Sequence, residues 1–170
     1  MMCGLATADA IEAETGLAAG LKWPNDLLIG DRKVGGILTE VELHGEQVDF
    51  AVVGIGLNVN LDVAALSGPL LARATSLSVD LGRPVARLPL LLALLSRVDA
   101  RYISLRTNGA RLHEEWAARL RTTGRPVVVA TGESEWTGIA EGVDEDGALL
   151  VRAPGGELRR VLAGDVTLAH

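Results

Sequence analysis

The clearest rhythm of apolar and polar positions runs from Lys33 to Leu57. Val34, Ile37, Thr39, Val41 and Leu43 are aliphatic or β-branched, and Glu40, Glu42 and His44 fall between or after them. Strand side chains point alternately to the two faces of a sheet, so this spacing predicts a strand over residues 33–43. His44-Gly45-Glu46 reads as a turn. Val48, Phe50 and Val52 carry the alternation through a second strand, residues 47–57, until Gly54-Ile55-Gly56 interrupts it. Two long strands with a short connection predict an antiparallel meander. Upstream, residues 6–14 have helical propensity, with Leu5, Ala8 and Ile11 on one side and Gly16 placed as a C-cap. Residues 17–23 and Leu27-Leu28-Ile29 read as short strands, the second closed by a hairpin-type turn at Gly30-Asp31.

After Asn58 the pattern loosens. A short helix near residues 63–66 and two further helical pieces at residues 69–72 and 76–81 are expected. Leu88, Leu91, Leu92, Leu95, Val98, Tyr102 and Leu105 then mark a long amphipathic helix, with Arg97 and Arg101 off its apolar side. Leu112, Trp116 and Leu120 align a second helix over residues 110–120, and both helices are expected to pack on the sheet. At Thr122-Thr123-Gly124-Arg125-Pro126 the character changes. Residues 127–130, 136–141, 148–152 and 157–161 read as short strands with turns at Gly132, Asp144-Glu145-Asp146-Gly147 and Pro154-Gly155-Gly156. Such spacing predicts a small β-barrel. The expected organisation is α+β: residues 1–122 form a mixed or antiparallel sheet packed by helices, and residues 123–170 form a separate small barrel.

Composition narrows the function. Of 170 residues, 48% are hydrophobic and only 3% aromatic, so the core is aliphatic. The net charge of −6 argues against non-specific binding to nucleic acid, which needs a basic surface. The single cysteine, Cys3, excludes an internal disulfide and any cysteine-cluster metal site, and a reducing cytoplasm is the expected compartment. It is expected to be an inert thiol near a frayed end. His44, His113 and His170 show no metal-ligand spacing. The longest apolar candidate for a membrane span, residues 88–95, contains Pro89 and runs into Ser96-Arg97, so no membrane partner is expected. No secretory signal is read at the N-terminus.

The chemistry concentrates in Lys22-Trp23-Pro24-Asn25-Asp26-Leu27-Leu28 and Asp31-Arg32-Lys33-Val34-Gly35-Gly36-Ile37-Leu38. Lysine is costly to bury without a negative partner. Two lysines flanking a carboxylate inside apolar sequence therefore point to a pocket for an anion and an accompanying cation. Pro24 favours extended geometry at Trp23, which presents Lys22 at a strand end, with Asn25-Asp26 starting a turn. Each of these residues also has a plainer reading. Charged turn residues are usually solvated, Asn-Asp commonly forms an Asx turn, and a glycine in a strand commonly marks a bulge or a close neighbour. Glu40 and Glu42 share a strand face and read as solvated. Trp23 reads as core. Gly54-Ile55-Gly56 is no dinucleotide fingerprint, since the third glycine and the following helix are missing.

These blocks, followed by Gly54-Ile55-Gly56-Leu57-Asn58-Val59-Asn60 and Ala74-Thr75-Ser76-Leu77, resemble in order and spacing the catalytic core of biotin protein ligases (biotin–acetyl-CoA-carboxylase ligases). The resemblance covers nearly all of the chain. It implies a class II synthetase-like ligase core with an SH3-like C-terminal barrel. It also implies a two-step reaction: ATP and biotin give biotinyl-adenylate, and a lysine of a biotin carboxyl carrier domain then takes the biotin. By resemblance, Lys33 contacts the biotin carboxylate and the adenylate phosphate. Lys22 faces the phosphates, and Asn25 and Asp26 serve ATP and its Mg²⁺, with Asp26 as metal ligand. Gly36, Leu38, Gly54 and Gly56 line biotin, and Asn58 reaches the adenylate.

The family's arginine/glycine-rich loop and its Ser-Thr-Asn block lie upstream of Lys22 and have no counterpart here. The sequence thus reads as the C-terminal two-thirds of a ligase core, and low or no ligation is expected from the chain alone. The competing reading is a truncated, non-catalytic fragment that only binds ligand or partners. A lipoate or octanoyl transferase is a further alternative, opposed by the Lys-Trp-Pro-Asn-Asp block and the extra barrel. An exposed strand over residues 47–57 is the expected edge for a homodimer.

Overall fold

Helix α1 (Met2–Thr15) opens the computed structural model, which describes every residue except Glu46, Leu66, residues 68–72, Glu133 and His170. The helix starts earlier than its periodicity predicts. It stops where expected, at Gly16, whose φ of 73° is a left-handed conformation that glycine adopts without a Cβ penalty. Cys3, Leu5, Ala6, Ala8, Ala10 and Ile11 are all buried. Small side chains let neighbours approach α1 from several sides. The buried Thr7 hydroxyl is satisfied within the helix, donating to the Cys3 carbonyl at 2.7 Å. Cys3 itself is packed rather than frayed, and burial pushes its thiol pKa up.

Strands β1 (Ala19–Lys22), β2 (Asp26–Ile29), β3 (Arg32–His44) and β4 (Gln47–Leu57) form an antiparallel meander in chain order, as the alternation predicts. The turn between β1 and β2 falls on Trp23-Pro24-Asn25, so Asp26 is already the first residue of β2 instead of part of the turn. The outer half of the β3–β4 hairpin leaves Val41, Leu43, Val48, Phe50 and Val52 exposed.

A 3-10 turn (Val63–Ala65) follows, then the short helix α2 (Leu77–Leu81), whose N-cap hydroxyl, Ser76, accepts the Val79 N–H. The helical piece expected over residues 69–72 lies outside the described residues. Helices α3 (Arg87–Thr107) and α4 (Gly109–Ala118) come next. The expectation that both pack on the sheet is corrected: α3 lies along α1, and α4 packs against α1 and α3. With α1 set between α3 and the sheet, only Leu90 of α3 is buried. Polar contacts fix the seam. Arg101 on α3 donates from Nη2 to Asp9 of α1 at 2.7 Å, and from Nη1 to Glu115 of α4.

The C-terminal strands are β5 (Pro126–Thr131), β6 (Ser134–Val143), β7 (Leu149–Arg152), β8 (Leu158–Val161) and β9 (Asp165–Leu168), ordered β8-β7-β6-β5-β9. The last strand is absent from the sequence expectation. The expected closed barrel is not found: among the described residues β8 and β9 end the sheet without pairing to each other. Buried Val127, Val129, Leu149, Val151 and Val166 belong to the same hydrophobic cluster as Leu5, Ile11 and Trp23. Strand β1 is also tied through its backbone to the segment that links α4 to β5. Leu21 N–H donates to Arg119 O at 3.1 Å and Arg121 N–H to Leu21 O at 2.7 Å. Trp23, 2% exposed, donates from its backbone to Thr122 Oγ1 at 3.0 Å and from its indole to Gly147 O at 2.9 Å. Among the described residues no helix is long and apolar enough to cross a membrane.

Candidate active site

Lys22 and Asp26 oppose each other across the β1–β2 hairpin, and opposed residues share a sheet face. Lys22 Nζ donates to Asp26 Oδ2 at 3.0 Å. Asp26 in turn opposes Gly36 on β3, which puts Gly36 on the same face. Lys33 sits an odd number of positions from Gly36 and would point away in a regular strand. A β-bulge reverses this. Leu27 opposes Gly35, but Leu28 opposes Lys33, which leaves Val34 as the extra residue. Bulges re-aim side chains in this way. Val34 turns fully into the core, Lys33 joins the face of Leu28 and Asp26, and its ammonium pairs with Asp26 Oδ1.

The bulge is braced from outside the sheet. Asn58 N–H donates to Val34 O at 2.7 Å and Thr75 N–H to Lys33 O at 2.8 Å. Thr75 is held by its hydroxyl, which donates to Asp80 Oδ2 at 2.6 Å. The Asn58 and Ala74-Thr75-Ser76 blocks thus fix the backbone from which Lys33 projects.

Beyond Lys33 the same face is nearly bare. Gly36 opposes Gly56 and Leu38 opposes Gly54, so three of four neighbouring positions carry no side chain. A Cβ added at Gly54 or Gly56 would meet nothing closer than 3.8 Å. The resulting groove encloses about 900 Å³ and is lined by Asn25, Lys33, Gly36, Leu38, Gly54, Gly56 and Asn58. Asn25 is locked over β3: its side-chain amide donates to Ile37 O at 2.7 Å and its carbonyl accepts Ile37 N–H at 2.9 Å. Asn58 Nδ2 donates to Thr75 O at 3.0 Å. All nine residues singled out from the sequence therefore gather on this groove or at its charged head.

Electrostatically, two ammonium groups share one carboxylate. Side-chain exposure is 19% for Lys22 and 13% for Asp26, against 50% for Lys33, so Lys33 is the more accessible cation. The head carries an excess of one positive charge over an uncharged groove. That suits an acid with a long neutral body. The expectation that Asp26 holds Mg²⁺ does not fit this arrangement. Both of its oxygens are taken by lysines, two cations would repel a third, and among the described residues no three His, Cys, Asp or Glu side chains gather. His113 takes a structural role instead, its Nε2 lying 2.7 Å from Asp144 O.

Sequence reasoning missed the second wall of the charged head. Asp31, Arg73 and Arg125 line a cleft with Lys22, Asp26 and Lys33. Arg125 stands immediately before β5, 94 residues from its partner Asp31, and nothing local in the sequence signals the meeting.

Known proteins match this chain in two places. Residues 1–58 match the biotin/lipoate A/B protein ligase family, which leaves biotin and lipoate chemistry undivided. Residues 122–168 match the biotin protein ligase C terminal domain. The chain belongs to the biotin protein ligase family. A biotin–[acetyl-CoA-carboxylase] ligase of Paracoccus denitrificans is 39% identical over 164 residues, covering 91% of this chain and 66% of the relative. The bifunctional ligase/repressor BirA of Bacillus spizizenii is 31% identical over 172 residues, covering 99% of this chain and 52% of the relative. The chain thus spans about half the length of the first curated relatives it matches. Biotin protein ligase from Aquifex aeolicus superimposes in its apo form with a TM-score of 0.85 at 27% identity, covering 99% of this chain and 73% of the other. Its complex with biotin and ATP superimposes with a TM-score of 0.80 at 28% identity, covering 99% and 69%.

Proposed function

We propose that this biotin protein ligase family member takes part in ATP-dependent ligation of biotin to a lysine of a biotin carboxyl carrier domain. The observation that carries the reading is the shared face: Lys22, Asp26 and Lys33 at one end, Gly36, Leu38, Gly54 and Gly56 running from them. Biotin lies along the glycine strip with its carboxylate at Lys33. A carboxylate oxygen attacks the α-phosphorus of ATP, and pyrophosphate leaves. Negative charge grows on the phosphoryl oxygens, where Lys33 and Lys22 are already aimed, so little reorganisation is needed as it develops. Asp26 holds both ammoniums in place. Asn25 and Asn58 flank the adenylate. The carrier lysine's amine then attacks the acyl carbon, and AMP leaves. Mg²⁺, in this reading, is held by the nucleotide's own phosphates. Residues 123–170 act as a C-terminal domain that shares its core with the first sheet, the outer edge of β4 receives a second copy of the chain, and the cytoplasm is the compartment.

The test is calorimetric titration of the purified chain with a non-hydrolysable biotinyl-adenylate mimic. Binding is expected, and Lys33→Ala should weaken it by roughly 10- to 100-fold, the worth of one hydrogen bond to a charged group. No binding, or equal binding by Lys33→Ala, overturns the reading. Biotin-dependent exchange of pyrophosphate into ATP then reads the first step without a carrier, and Lys22→Ala and Lys33→Ala should both depress it.

A further inference from the structure

The turn Gly30-Asp31 sets Arg32 opposite Ile29, and the ladder then reaches Leu27 opposite Gly35 only by leaving Val34 as an extra residue. A competing register exists. A longer turn, Gly30-Asp31-Arg32, would place Lys33 opposite Ile29 and Val34 opposite Leu28, with no bulge. A slip of one residue moves side chains to the other face of a sheet. In that register Lys33 would leave the face of Asp26, and Val34 would come onto it. Which way Lys33 points is therefore decided by which register is held.

Two contacts favour the bulged register. From within, Val34 is fully buried. From outside, Asp80 on α2 grips both residues that a slip would move. Its Oδ1 accepts a hydrogen bond from the Arg32 guanidinium, and its Oδ2 accepts the Thr75 hydroxyl at 2.6 Å. Thr75 is fully buried and donates its N–H to the Lys33 carbonyl at 2.8 Å, beside a parallel bridge between Lys33 and Ala74. The Asp80 side chain is only 12% exposed. A carboxylate held that far from water needs its charge and lone pairs met, and both oxygens are engaged on the residues around the bulge. Helix α2 is itself anchored. Leu77 is fully buried and its N–H donates to Asn58 O at 2.9 Å, while the Ser76 hydroxyl donates to Leu61 O at 2.8 Å. Asp80 thus works from a fixed base.

We infer that Asp80 is a positioning residue for Lys33: it locks the β2–β3 register and so keeps the ammonium on the ligand face. This rests on the ligase reading, in which Lys33 meets the biotin carboxylate and the α-phosphate. Lys33 needs such a lock because its side chain is half exposed, and a partly exposed ion pair with Asp26 contributes little to holding it. Asp80 does not line the groove, so its effect on a ligand there has to pass through Lys33.

The experiment is a double-mutant cycle on the full chain, read by titration with the biotinyl-adenylate mimic. Asp80→Ala should weaken binding about five- to tenfold in the parent and cost nothing further in the Lys33→Ala background. Thr75→Val, which cuts only the hydroxyl link, should show the same coupling to Lys33, and it stands in if Asp80→Ala folds poorly. Asp80→Glu, which keeps the charge on a longer arm, should recover part of the loss. Amide hydrogen exchange without ligand gives a second readout. Asp80→Ala should speed exchange at Thr75 and Asn58, whose N–H groups hold the Lys33 and Val34 carbonyls. Equal weakening in both backgrounds overturns the inference, because a merely structural residue acts whether or not Lys33 is present. No weakening in the parent overturns it too. The two readings fail differently. Mimic binding by the parent without coupling between Asp80 and Lys33 sinks this inference alone. A parent that ignores the mimic sinks the ligase reading; faster exchange at Thr75 in Asp80→Ala then still supports the lock, and unchanged exchange sinks it as well.

Discussion

Helices α1 and α3 lie against each other and use their apolar residues in opposite ways. In α1, Leu5, Ala6, Ala8, Ala10 and Ile11 are buried among the sheet, α3 and α4. In α3, Leu88, Leu91, Leu92, Leu95, Tyr102, Ile103 and Leu105 are exposed, and Leu90 alone is buried. Yet α3 carries the longer and more regular apolar stripe. The same contrast divides β3 and β4. At Gly35 a side chain would meet the Gly56 carbonyl, Leu57 and Leu27, whereas the face with Gly36 and Gly56 is open. An apolar stripe states which side of an element avoids water. What covers that side depends on the neighbours. Contiguous apolar surface of this extent is uncommon on a soluble monomer.

The largest expected effect tests that contrast directly. Ile11→Ala should cost about 2–5 kcal/mol in urea unfolding, because a fully buried side chain leaves a cavity. Leu91→Ala should stay within about 0.5 kcal/mol, because its site is already in solvent. A comparable loss at both positions would mean the α3 stripe is covered in solution.

Next comes a pair of glycines on opposite faces. A Cβ at Gly35 would collide with the Gly56 carbonyl oxygen and press on Leu57, so Gly35→Ala should lose about 1–3 kcal/mol to overpacking. Gly56→Ala points into the open groove, 3.8 Å from the nearest atom, and should leave thermal stability unchanged while weakening the biotinyl-adenylate mimic. If Gly56→Ala instead unfolds the protein and spares the ligand, the glycine strip belongs to the packing and not to the site.

The smallest effect concerns the seam. The Arg101 guanidinium, with Arg111 beside it, holds the Glu115 carboxyl pKa below its ordinary value of 4.5. A carboxyl pKa depressed in the folded state adds stability above the unfolded value, and that stability is lost as pH falls through the folded one. Glu115→Gln should therefore be slightly less stable than the parent at pH 7, and the difference should shrink as pH falls below 4.5 through the depressed folded-state pKa. A difference that persists undiminished at pH 3 would assign the seam to packing instead.

Some of this was plain in the residues. The β3–β4 alternation, the turns at Gly30, Gly45 and Gly132, and the stop of α1 at Gly16 were legible, because each depends on neighbours within a few positions. The charged block was legible as well: Lys22 and Asp26 sit at either end of a turn and meet across it. β9 was missed although Val166 and Leu168 alternate behind Gly164, since four residues give too short a rhythm and its partner, β5, is far away in sequence. Arg125 was missed for the same reason.

The sequence by itself determined the periods, the turns and the kinds of charge gathered between Lys22 and Lys33, because these are properties of short stretches. The tertiary structure alone decided that Val34 is the bulged residue, which swings Lys33 onto the face of Asp26. It also decided that Arg125 reaches Asp31, and that α3 rests on α1 with its stripe bare. Each of these outcomes is a choice of partner, and partners are selected by the whole set of surfaces competing to be buried.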